Sequence, residues 1–475
     1  MGNSAEKTGF LENYFGLRRH GTTVRTEVLA GATTFIAIAY ILILNPQILA
    51  DPYVIMGDAA MAGKIANGVF IGTCIGAFIG TILVGLYAKL PFAQAPGMGL
   101  NAFFAYTVVL AMGYTYGQAL VIVFISGIFF IVITAVGLRE AIIRAIPDCV
   151  KAAITPGIGL FITIIGLKNS GLVVGNSATL VSMVDFAQWR TPGADLTAAK
   201  GAIVALIGLV VMGVLHAKKV KGSILIGIVA ATAAGIPLGV TRMADLSFNI
   251  GAQFTDFMEV SFLKMDFAGL FAGENLLQSI FTVTMLVISF SLVNMFDSIG
   301  TLLGASKQSG MIDEHGEVIH MKQALMSDAI STAAGAMVGT STVTTVVESS
   351  AGIAEGGRTG LTSVTTALMF LASIVFAPVV SIVPGAATAP ALIFVGTLML
   401  SNIRDVDFSN MVEALPAFCT IIFMPFTYSI ANGIAFGLIM YTVMKVLCGQ
   451  AKEVKPLCAI VALTFIVRYA FMTLG

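Results

Sequence analysis

The sequence predicts an all-α polytopic membrane protein, and three observations carry this prediction. The 475 residues are 57% hydrophobic and only 11% charged, with a mean hydropathy of +0.96. Apolar runs recur along the chain at about 20 residues, the length that crosses the hydrocarbon core of a bilayer. Lys and Arg residues gather between alternate runs. A soluble chain of this length would need far more polar surface to cover its domains.

Fourteen spans are predicted, seven in each half of the chain. In the first half they lie near residues 27–45, 67–86, 97–112, 117–137, 150–167, 200–216 and 222–239. In the second half they lie near residues 278–303, 323–338, 342–356, 361–379, 384–401, 410–424 and 428–446. With a cytoplasmic N-terminus, eighteen Lys and Arg residues face the cytoplasm and six face outside, with Arg468 unassigned. This bias follows the positive-inside rule, so we expect a multi-pass protein of the inner (cytoplasmic) membrane.

An odd number of spans in each half means that the second half enters the membrane upside down relative to the first. The sequence therefore predicts a 7+7 inverted repeat. Two pairs of similar segments support it: Ile146–Leu167 with Val383–Leu400, and Gly222–Ile236 with Asn432–Val446. The apolar run Leu457–Gly475 lies outside this count, so it is either a fifteenth span or a helix along the membrane surface.

The third and tenth spans are predicted to be half extended and half helical. Pro96, Gly97 and Gly99 disfavour a regular helix in the third span, before a helical tail that begins at Asn101. The β-branched run GTSTVTTVV, which begins at Gly339, disfavours a regular helix in the tenth span. Broken spans at matching positions of two inverted halves indicate a transporter's binding site. The alternative is a Ser/Thr/Gly-rich stretch that only packs helices closely.

Two acidic residues are placed well inside predicted spans, Asp297 in NMFDSIGT and Glu348 in VVESSAG. An acid at the centre of a spanning helix costs roughly 2.5–3.5 kcal/mol on translocon scales, so it is a functional-site hypothesis by default. The alternative is that each acid caps or crosslinks helices. Asp328 and Glu355 lie nearer span ends, where a solvated or structural role is expected. All four His residues fall in predicted cytoplasmic flanks, so a proton relay inside the membrane would use carboxylates.

The groups around the two acids suit a small, planar, polar ligand. Asn101 offers both a donor and an acceptor, and Phe103 and Phe104 offer ring faces for stacking, although lipid or core packing explains these rings equally well. An anion is a poor fit, because the broken spans carry no Lys or Arg and two acids would repel it.

Other functional classes are disfavoured by the composition. Lys and Arg total 25 against 25 Asp and Glu, so no basic excess exists to bind nucleic acid. The chain has no Walker-type phosphate loop, no CxxC spacing among its five Cys residues and no visible cluster of metal ligands or nucleophile and base. We therefore expect no cofactor, no metal and no enzymatic activity.

Three segments resemble the AzgA-like purine permeases, transporters of hypoxanthine, guanine and adenine in the nucleobase/ascorbate transporter superfamily. They are APGMGLNAFFAY from Ala95, FDSIGTLLGAS from Phe296 and GTSTVTTVVESSAGIAEGGRTGLTSV from Gly339. The resemblance covers nearly the whole chain. It implies import of purine nucleobases by proton symport, and a homodimer. It also implies a core domain, residues 1–138 and 278–380, that moves against a gate domain, residues 139–277 and 381–475, the last part including the C-terminal apolar segment.

The resemblance also carries site residues over to this chain. Asp297 of the eighth span and Glu348 of the tenth are expected to hold the base and couple the proton. Asn101 is the polar residue of the third span, Thr301 lies one turn beyond Asp297, and Ser349 follows Glu348 in the motif. Phe104 is a looser transfer, because related members align that span with some slippage.

Three alternatives remain open at this point. A passive nucleobase channel would conduct without proton coupling. An anion transporter of the same architecture would want a basic residue where a broken helix begins, and the sequence has none there. A uracil or xanthine transporter would keep both the architecture and the acids. Which purine is preferred, and which acid carries the moving proton, are not decided by the sequence.

Overall fold

The computed structural model describes residues 10–137, 146–190, 193, 195–242, 250–272, 276–309, 311, 318–380 and 382–474. The predicted domain boundary between residues 138 and 139, and the one between residues 380 and 381, each involve a residue outside these ranges.

The first half of the chain contains eleven described α-helices and three short strands. The helices are α1 Phe10–Phe15, α2 Val24–Ile38, α3 Ile41–Ile55, α4 Ala59–Leu83, α5 Met98–Ala102, α6 Tyr116–Val136, α7 Asp148–Asn169, α8 Thr197–Ala217, α9 Ser223–Gly235, α10 Ile250–Asp256 and α11 Phe267–Leu270. The strands are β1 Gln94–Pro96, β2 Val173–Asn176 and β3 Leu180–Met183. Helices α4, α5 and α10 continue as π-helical turns at Val84–Ala88, Phe103–Ala111 and Phe257–Ser261, and a 3₁₀ turn lies at Phe186–Arg190.

The second half contains nine described α-helices and one strand. The helices are α12 Leu276–Ser309, α13 Met321–Met337, α14 Ser349–Ala354, α15 Gly360–Ala372, α16 Ala377–Val380, α17 Gly385–Leu400, α18 Met411–Phe426, α19 Ile430–Leu447 and α20 Pro456–Leu474. The strand is β4 Val343–Thr345, and 3₁₀ turns lie at Ser373–Phe376, Ser401–Asp405 and Ala451–Glu453.

Eight helical runs among the described residues are long and apolar enough to cross a membrane. They are Val24–Ile55, Ala59–Ala88, Tyr116–Val136, Asp148–Asn169, Thr197–Ala217, Gln278–Leu302, Gly385–Asp405 and Ile430–Leu447. Shorter apolar helices lie at Met98–Ala111, Ser223–Gly235, Gly360–Phe376 and Met411–Phe426. The predicted polytopic, mostly helical membrane fold is confirmed, whereas the count of fourteen spans and the inverted repeat stay predictions.

The two spans predicted to be broken meet each other through short strands. Strand β1 pairs with β4 in antiparallel register, with Gln94 opposite Thr345, Ala95 opposite Thr344 and Pro96 opposite Val343. All six residues are buried. The strand pairing, together with the Thr81 hydroxyl that bonds both the N–H and the carbonyl of Gln94 at 2.9 Å, supplies the backbone partners that extended chain inside a membrane requires. Helix α5 then begins at Met98, three residues earlier than expected, and α14 begins at Ser349.

A left-handed glycine positions strand β4 after helix α13. Gly339 has a φ of +76° and lies directly against Ser261, so a side chain at this position would collide with that residue. The phenol of Tyr116 donates to the Gly339 carbonyl at 2.5 Å. Only glycine combines this φ with this close approach at no steric cost.

The first span is also interrupted, a feature that was not expected. Helix α2 ends at Ile38 and α3 begins at Ile41, and the Leu42 N–H bonds the Ala39 carbonyl at 3.1 Å, a 3₁₀-type spacing. A few residues further on, the Asn45 amide donates to the hydroxyls of Thr73 at 2.7 Å and Thr340 at 2.9 Å. The second half of this span is therefore fastened to α4 and to the segment that leads into β4.

The long helices pack in two groups. The first group contains α2 to α6 and α12 to α15, and the second contains α7, α8, α9, α17, α18 and α19. Helices α7 and α17 pack closely on each other, as α13 does on α6 and α15 on α2. Helix α20 lies beside α19, where the Tyr469 phenol donates to the side-chain Oδ1 of Asn432 at 2.9 Å.

A buried carboxylate joins the start of the first span to helix α15. Glu27 is fully buried and accepts hydrogen bonds from the N–H groups of Arg358, Thr359 and Thr362 and from the Thr362 hydroxyl, the last at 2.6 Å. The first N–H groups of a helix have no partner within the helix, and a negative charge at that end is favourable. Glu27 therefore caps α15 from another span.

Candidate functional site

Asp297 lies in the middle of helix α12, where the paired strands end. A Cβ atom added to Gly97, the residue before helix α5, would lie 3.7 Å from Asp297 Oδ2 and 3.0 Å from the Thr344 methyl group. The Asp297 side chain is half-buried. The carboxylate therefore faces the N-terminal end of α5, which is the favourable end of a helix for a negative charge.

Glu348 immediately precedes helix α14 and is also half-buried. Its Oε1 accepts a hydrogen bond of 2.6 Å from the phenol of Tyr40, which lies at the interruption of the first span. Glu348 and Asp328 both interact electrostatically with Asp297. The structure thus places the two predicted acids, from α12 and from the tenth predicted span, in one region beside the strand pair.

Asn101 and its partners connect the two broken segments. The Ser341 hydroxyl donates to Asn101 Oδ1, and the Asn101 amide approaches the Met98 sulfur at 4.0 Å. Ser298, next to Asp297, shares a hydrogen bond of 2.7 Å with the Thr344 hydroxyl. Because Asn101, Ser341, Ser298 and Thr344 are all fully buried, these bonds hold α5, α12 and β4 in a fixed relation.

The other three predicted residues have different surroundings. Phe104 is fully buried and packs edge-on against Tyr116, with ring centroids 5.6 Å apart. Ser349 donates to the Val346 carbonyl at 2.7 Å and accepts from the Ala93 N–H at 3.0 Å. Thr301 is buried on α12, one turn beyond Asp297. Phe104 and Ser349 thus make contacts with the protein itself, and their roles toward a substrate stay predictions.

Sequence reasoning missed Tyr40 and the burial of a third acid. Asp328 is fully buried, and it accepts hydrogen bonds from the Gln94 amide and, at 2.8 Å, from the Thr345 hydroxyl. Of the two roles expected for Asp328, solvated or structural, these contacts fit the structural one. The available signal was polarity: Tyr40 is the one tyrosine in its predicted span, and Gln94 stands in an apolar run.

The two packing groups are hydrogen-bonded to each other beside the far end of the first span. The Gln47 side chain donates to the Val383 carbonyl at 2.7 Å and accepts from the Thr388 hydroxyl. Nearby, the Asn169 amide donates to the Tyr106 hydroxyl at 3.1 Å. We call these contacts the boundary contacts. They join helix α3, and the π-helical continuation of α5, to helices α7 and α17.

One of the boundary partners also bonds within its own group. The Tyr106 phenol donates to Asp51 Oδ2 at 2.6 Å, so the hydroxyl that accepts from Asn169 is itself held by a carboxylate. Further along the same segment, the Thr107 hydroxyl donates to the Tyr428 carbonyl at 2.6 Å. Tyr428 has a φ of +51°, a conformation that is rare for a residue other than glycine.

Chemically, the site offers many hydrogen-bond acceptors and no basic side chain on its broken segments, since residues 93–113 and 339–356 contain no Lys or Arg. Among the described residues, no group of His, Cys, Asp and Glu is arranged to hold a metal ion. Two broken segments that meet beside a pair of carboxylates, inside a polytopic helical fold, define a membrane permease.

Comparison with known proteins identifies the family. The chain belongs to the permease family, whose Xan_ur_permease model matches residues 25–436. It is 41% identical to adenine permease AdeP of Escherichia coli K12, over 98% of this chain and 97% of that protein. It is 38% identical to guanine/hypoxanthine permease PbuO of Bacillus subtilis 168, over 96% of this chain and 99% of that one. The predicted resemblance to purine permeases is confirmed.

Solved structures share the fold at low sequence identity. The transmembrane domain of the cyanobacterium bicarbonate transporter BicA superposes with a TM-score of 0.57 at 16% identity, over 85% of this chain and 97% of that one. The murine Slc26a9 anion transporter in the inward-facing state gives 0.56 at 12% identity, over 94% of this chain and 74% of that one. This likeness concerns the fold alone.

Proposed function

We propose that this protein is a proton-coupled symporter that imports purine nucleobases across the cytoplasmic membrane. The observation that carries the proposal is the packing of α12 against α14 beside the paired strands, with Asp297 on the first helix and Glu348 directly before the second. The relatives named adenine and guanine/hypoxanthine permeases support the substrate class. A purine presents N–H groups and ring nitrogens in one plane, which suits carboxylate acceptors and the Asn101 amide.

The proposed mechanism uses the negative charge of the two acids. A purine enters between the two packing groups, and Glu348 accepts hydrogen bonds from its N–H edge. A proton taken from outside neutralises one of the two acids, which reduces the charge of the site and lowers the cost of moving it through the membrane. A proton that moves inward through about 100 mV supplies ~2.3 kcal/mol. Because coupling is reciprocal, a lower external pH should tighten purine binding.

The proposed architecture is fourteen spans in a 7+7 inverted repeat, with a cytoplasmic N-terminus and a homodimer as the working assembly. The two packing groups support a core domain that moves against a gate domain, and the pairing of β1 with β4 supports equivalent broken spans in the two halves. Reporter fusions at the two termini and in the loops would test the orientation. Crosslinking in native membranes would test the dimer.

Glu348→Gln is the direct test of the mechanism. We expect this variant to reach the membrane at the wild-type level and to lose uphill accumulation of labelled hypoxanthine, because a neutral amide cannot take up the coupling proton. Glu259→Gln is the matched control, since Glu259 is an exposed carboxylate, 53% accessible, that pairs with Lys64 at 2.6 Å. Normal uphill uptake by Glu348→Gln would refute the assignment.

Energy coupling and selectivity are tested separately. A protonophore should abolish concentrative uptake in cells that express the wild-type protein. Flux that only equilibrates the base across the membrane, and that the protonophore leaves unchanged, would indicate a passive channel instead. Competition of labelled hypoxanthine by adenine, guanine, xanthine and uracil would then rank the substrates. Competition by bicarbonate or sulfate, and none by purines, would indicate an anion transporter instead.

A further inference from the structure

Tyr40 occupies a specialised position in the first span. It lies between helices α2 and α3, where its carbonyl accepts a 3₁₀-type bond from the Ile43 N–H at 3.1 Å as well as the regular helical bond from the Leu44 N–H at 3.0 Å. Its side chain is 1% exposed. A buried phenol needs a hydrogen-bond acceptor. The acceptor of the Tyr40 phenol is the Glu348 carboxylate.

The bond between Tyr40 and Glu348 is short, and it is charge-assisted when Glu348 is ionised. Its length of 2.6 Å falls in the range of O–H···O⁻ hydrogen bonds, which are roughly twice as strong as neutral ones. The phenol has one hydrogen to donate, and it bonds Oε1 of Glu348. This bond orients the carboxylate and therefore also sets the position of Oε2. The carboxylate is therefore held from one side by the first span.

The charged neighbours of Glu348 would not replace this contact. Asp297 of α12 and Glu348 repel each other, and Asp328 of α13 repels Asp297. Glu355, at the far end of its own short helix, is paired with Lys221. Among the described residues, Tyr40 supplies the side-chain hydrogen-bond donor that offsets the negative charge at Glu348.

We propose that Tyr40 is a positioning residue for Glu348, and that its phenol sets both the geometry of purine recognition and the pH at which uptake is half-maximal. This inference rests on the proposed function. A phenol donates more strongly to an ionised carboxylate than to a protonated one. The bond therefore delays protonation of Glu348, and its removal should let the acid take up its proton at a higher pH.

Tyr40→Phe tests the inference, because it keeps the ring and removes only the hydroxyl. Loss of a hydrogen bond to a charged group should raise the KM for hypoxanthine by about tenfold and move the midpoint of the pH profile of uptake upward by about one pH unit. Tyr469→Phe is the control. It also removes a phenol hydrogen bond, to Asn432 Oδ1 at 2.9 Å, but has no contact with Glu348 and no boundary contact among those described, so its pH midpoint should match the wild type.

A second variant keeps the proposal testable if Tyr40→Phe does not reach the membrane. Site-specific replacement of Tyr40 by 3-fluorotyrosine gives a more acidic phenol of nearly the same size, which donates more strongly. The midpoint should then move downward, opposite to the effect of removing the hydroxyl. A purely structural role for Tyr40 would change the amount of protein and leave the midpoint and KM in place.

The outcomes separate this inference from the proposed function. If Glu348→Gln keeps normal uphill uptake, the proposed mechanism is wrong. If Glu348→Gln abolishes accumulation while Tyr40→Phe shows the wild-type KM and pH midpoint, the proposed mechanism stands and the role of Tyr40 is overturned. An equal shift in Tyr40→Phe and Tyr469→Phe would also overturn it, because the effect would then not depend on contact with Glu348.

Discussion

The roles of individual carboxylates in this protein depend on their hydrogen-bond donors and on the charges near them. Glu27 is surrounded by four donors from the start of α15, whereas Glu348 has Tyr40 on one side and the negative charge of Asp297 nearby. The first arrangement stabilises an ionised side chain and suits a permanent structural role. The second gives the side chain one donor and a repelling neighbour, which suits a group that gains and loses a proton.

Glu27→Gln should destabilise the fold, because the new amide group would direct its own N–H donors at backbone N–H groups. The loss of hydrogen bonds to a charged group is expected to cost about 1.5–3 kcal/mol. Thermal unfolding of the purified protein in detergent would measure the effect. Glu259→Gln, at an exposed ion pair, should change the unfolding temperature little. An equal change in the two variants would contradict the structural role of Glu27.

Residue patterns predicted part of the site and missed the rest for a physical reason. Asp297 and Glu348 could be found because an acid in an apolar run is costly, and that cost is visible in one sequence. The contact of Tyr40 with Glu348 joins residues 308 positions apart, and it depends on how the first span is interrupted and packed. Apolar periodicity carries no information about such a contact, so the sequence could not assign a partner to Tyr40.

At the scale of elements, strands β1 and β4 are the unit that holds the site together. Asp297 lies beside Gly97 at one end of this pair, and Asp328 is bonded to Gln94 and Thr345 at the other. The composition of both spans predicted extended backbone, yet the direct pairing of the two was not foreseen. Register between distant strands is set by packing, and six residues are too few to reveal it in sequence.

A cysteine pair at Ala95 and Thr344 would test the strand register. These residues lie directly opposite each other, where Cβ atoms are about 4.5–5.5 Å apart in an antiparallel pair. In a variant without the five native cysteines, oxidation should form a disulfide that mass spectrometry detects after proteolysis. Oxidation should not change purine uptake by this variant, because both strands belong to one packing group. Failure to crosslink, with both single-cysteine variants well folded, would contradict the register.

At the scale of the whole molecule, the boundary contacts bond the two packing groups to each other on one side. Gln47 bonds Val383 and Thr388, and Asn169 bonds Tyr106. With the proposed cytoplasmic N-terminus, this side faces outward, so the two groups would be held together on the outer side in this state. Alternating access would then require these bonds to break in each cycle.

A crosslink between Gln47→Cys and Thr388→Cys should therefore stop transport. A short bifunctional thiol reagent across this boundary would hold the two groups together, and reduction of a cleavable reagent should restore uptake. The Ala95 and Thr344 pair serves as the control, because it lies within one group. Full uptake by a protein that is crosslinked between residues 47 and 388 would show that the two groups need not separate there.

The strand pair has a consequence for how the protein is made. Gln94 and Thr345 are 251 positions apart, so β1 leaves the ribosome long before its partner strand has been synthesised. Until β4 arrives, Gln94 can bond Thr81 of the first half, but the backbone groups of Ala95 lack the strand that they pair with and are costly to place in lipid. Assembly of the strand pair, and of the site beside it, must therefore follow synthesis of the second half.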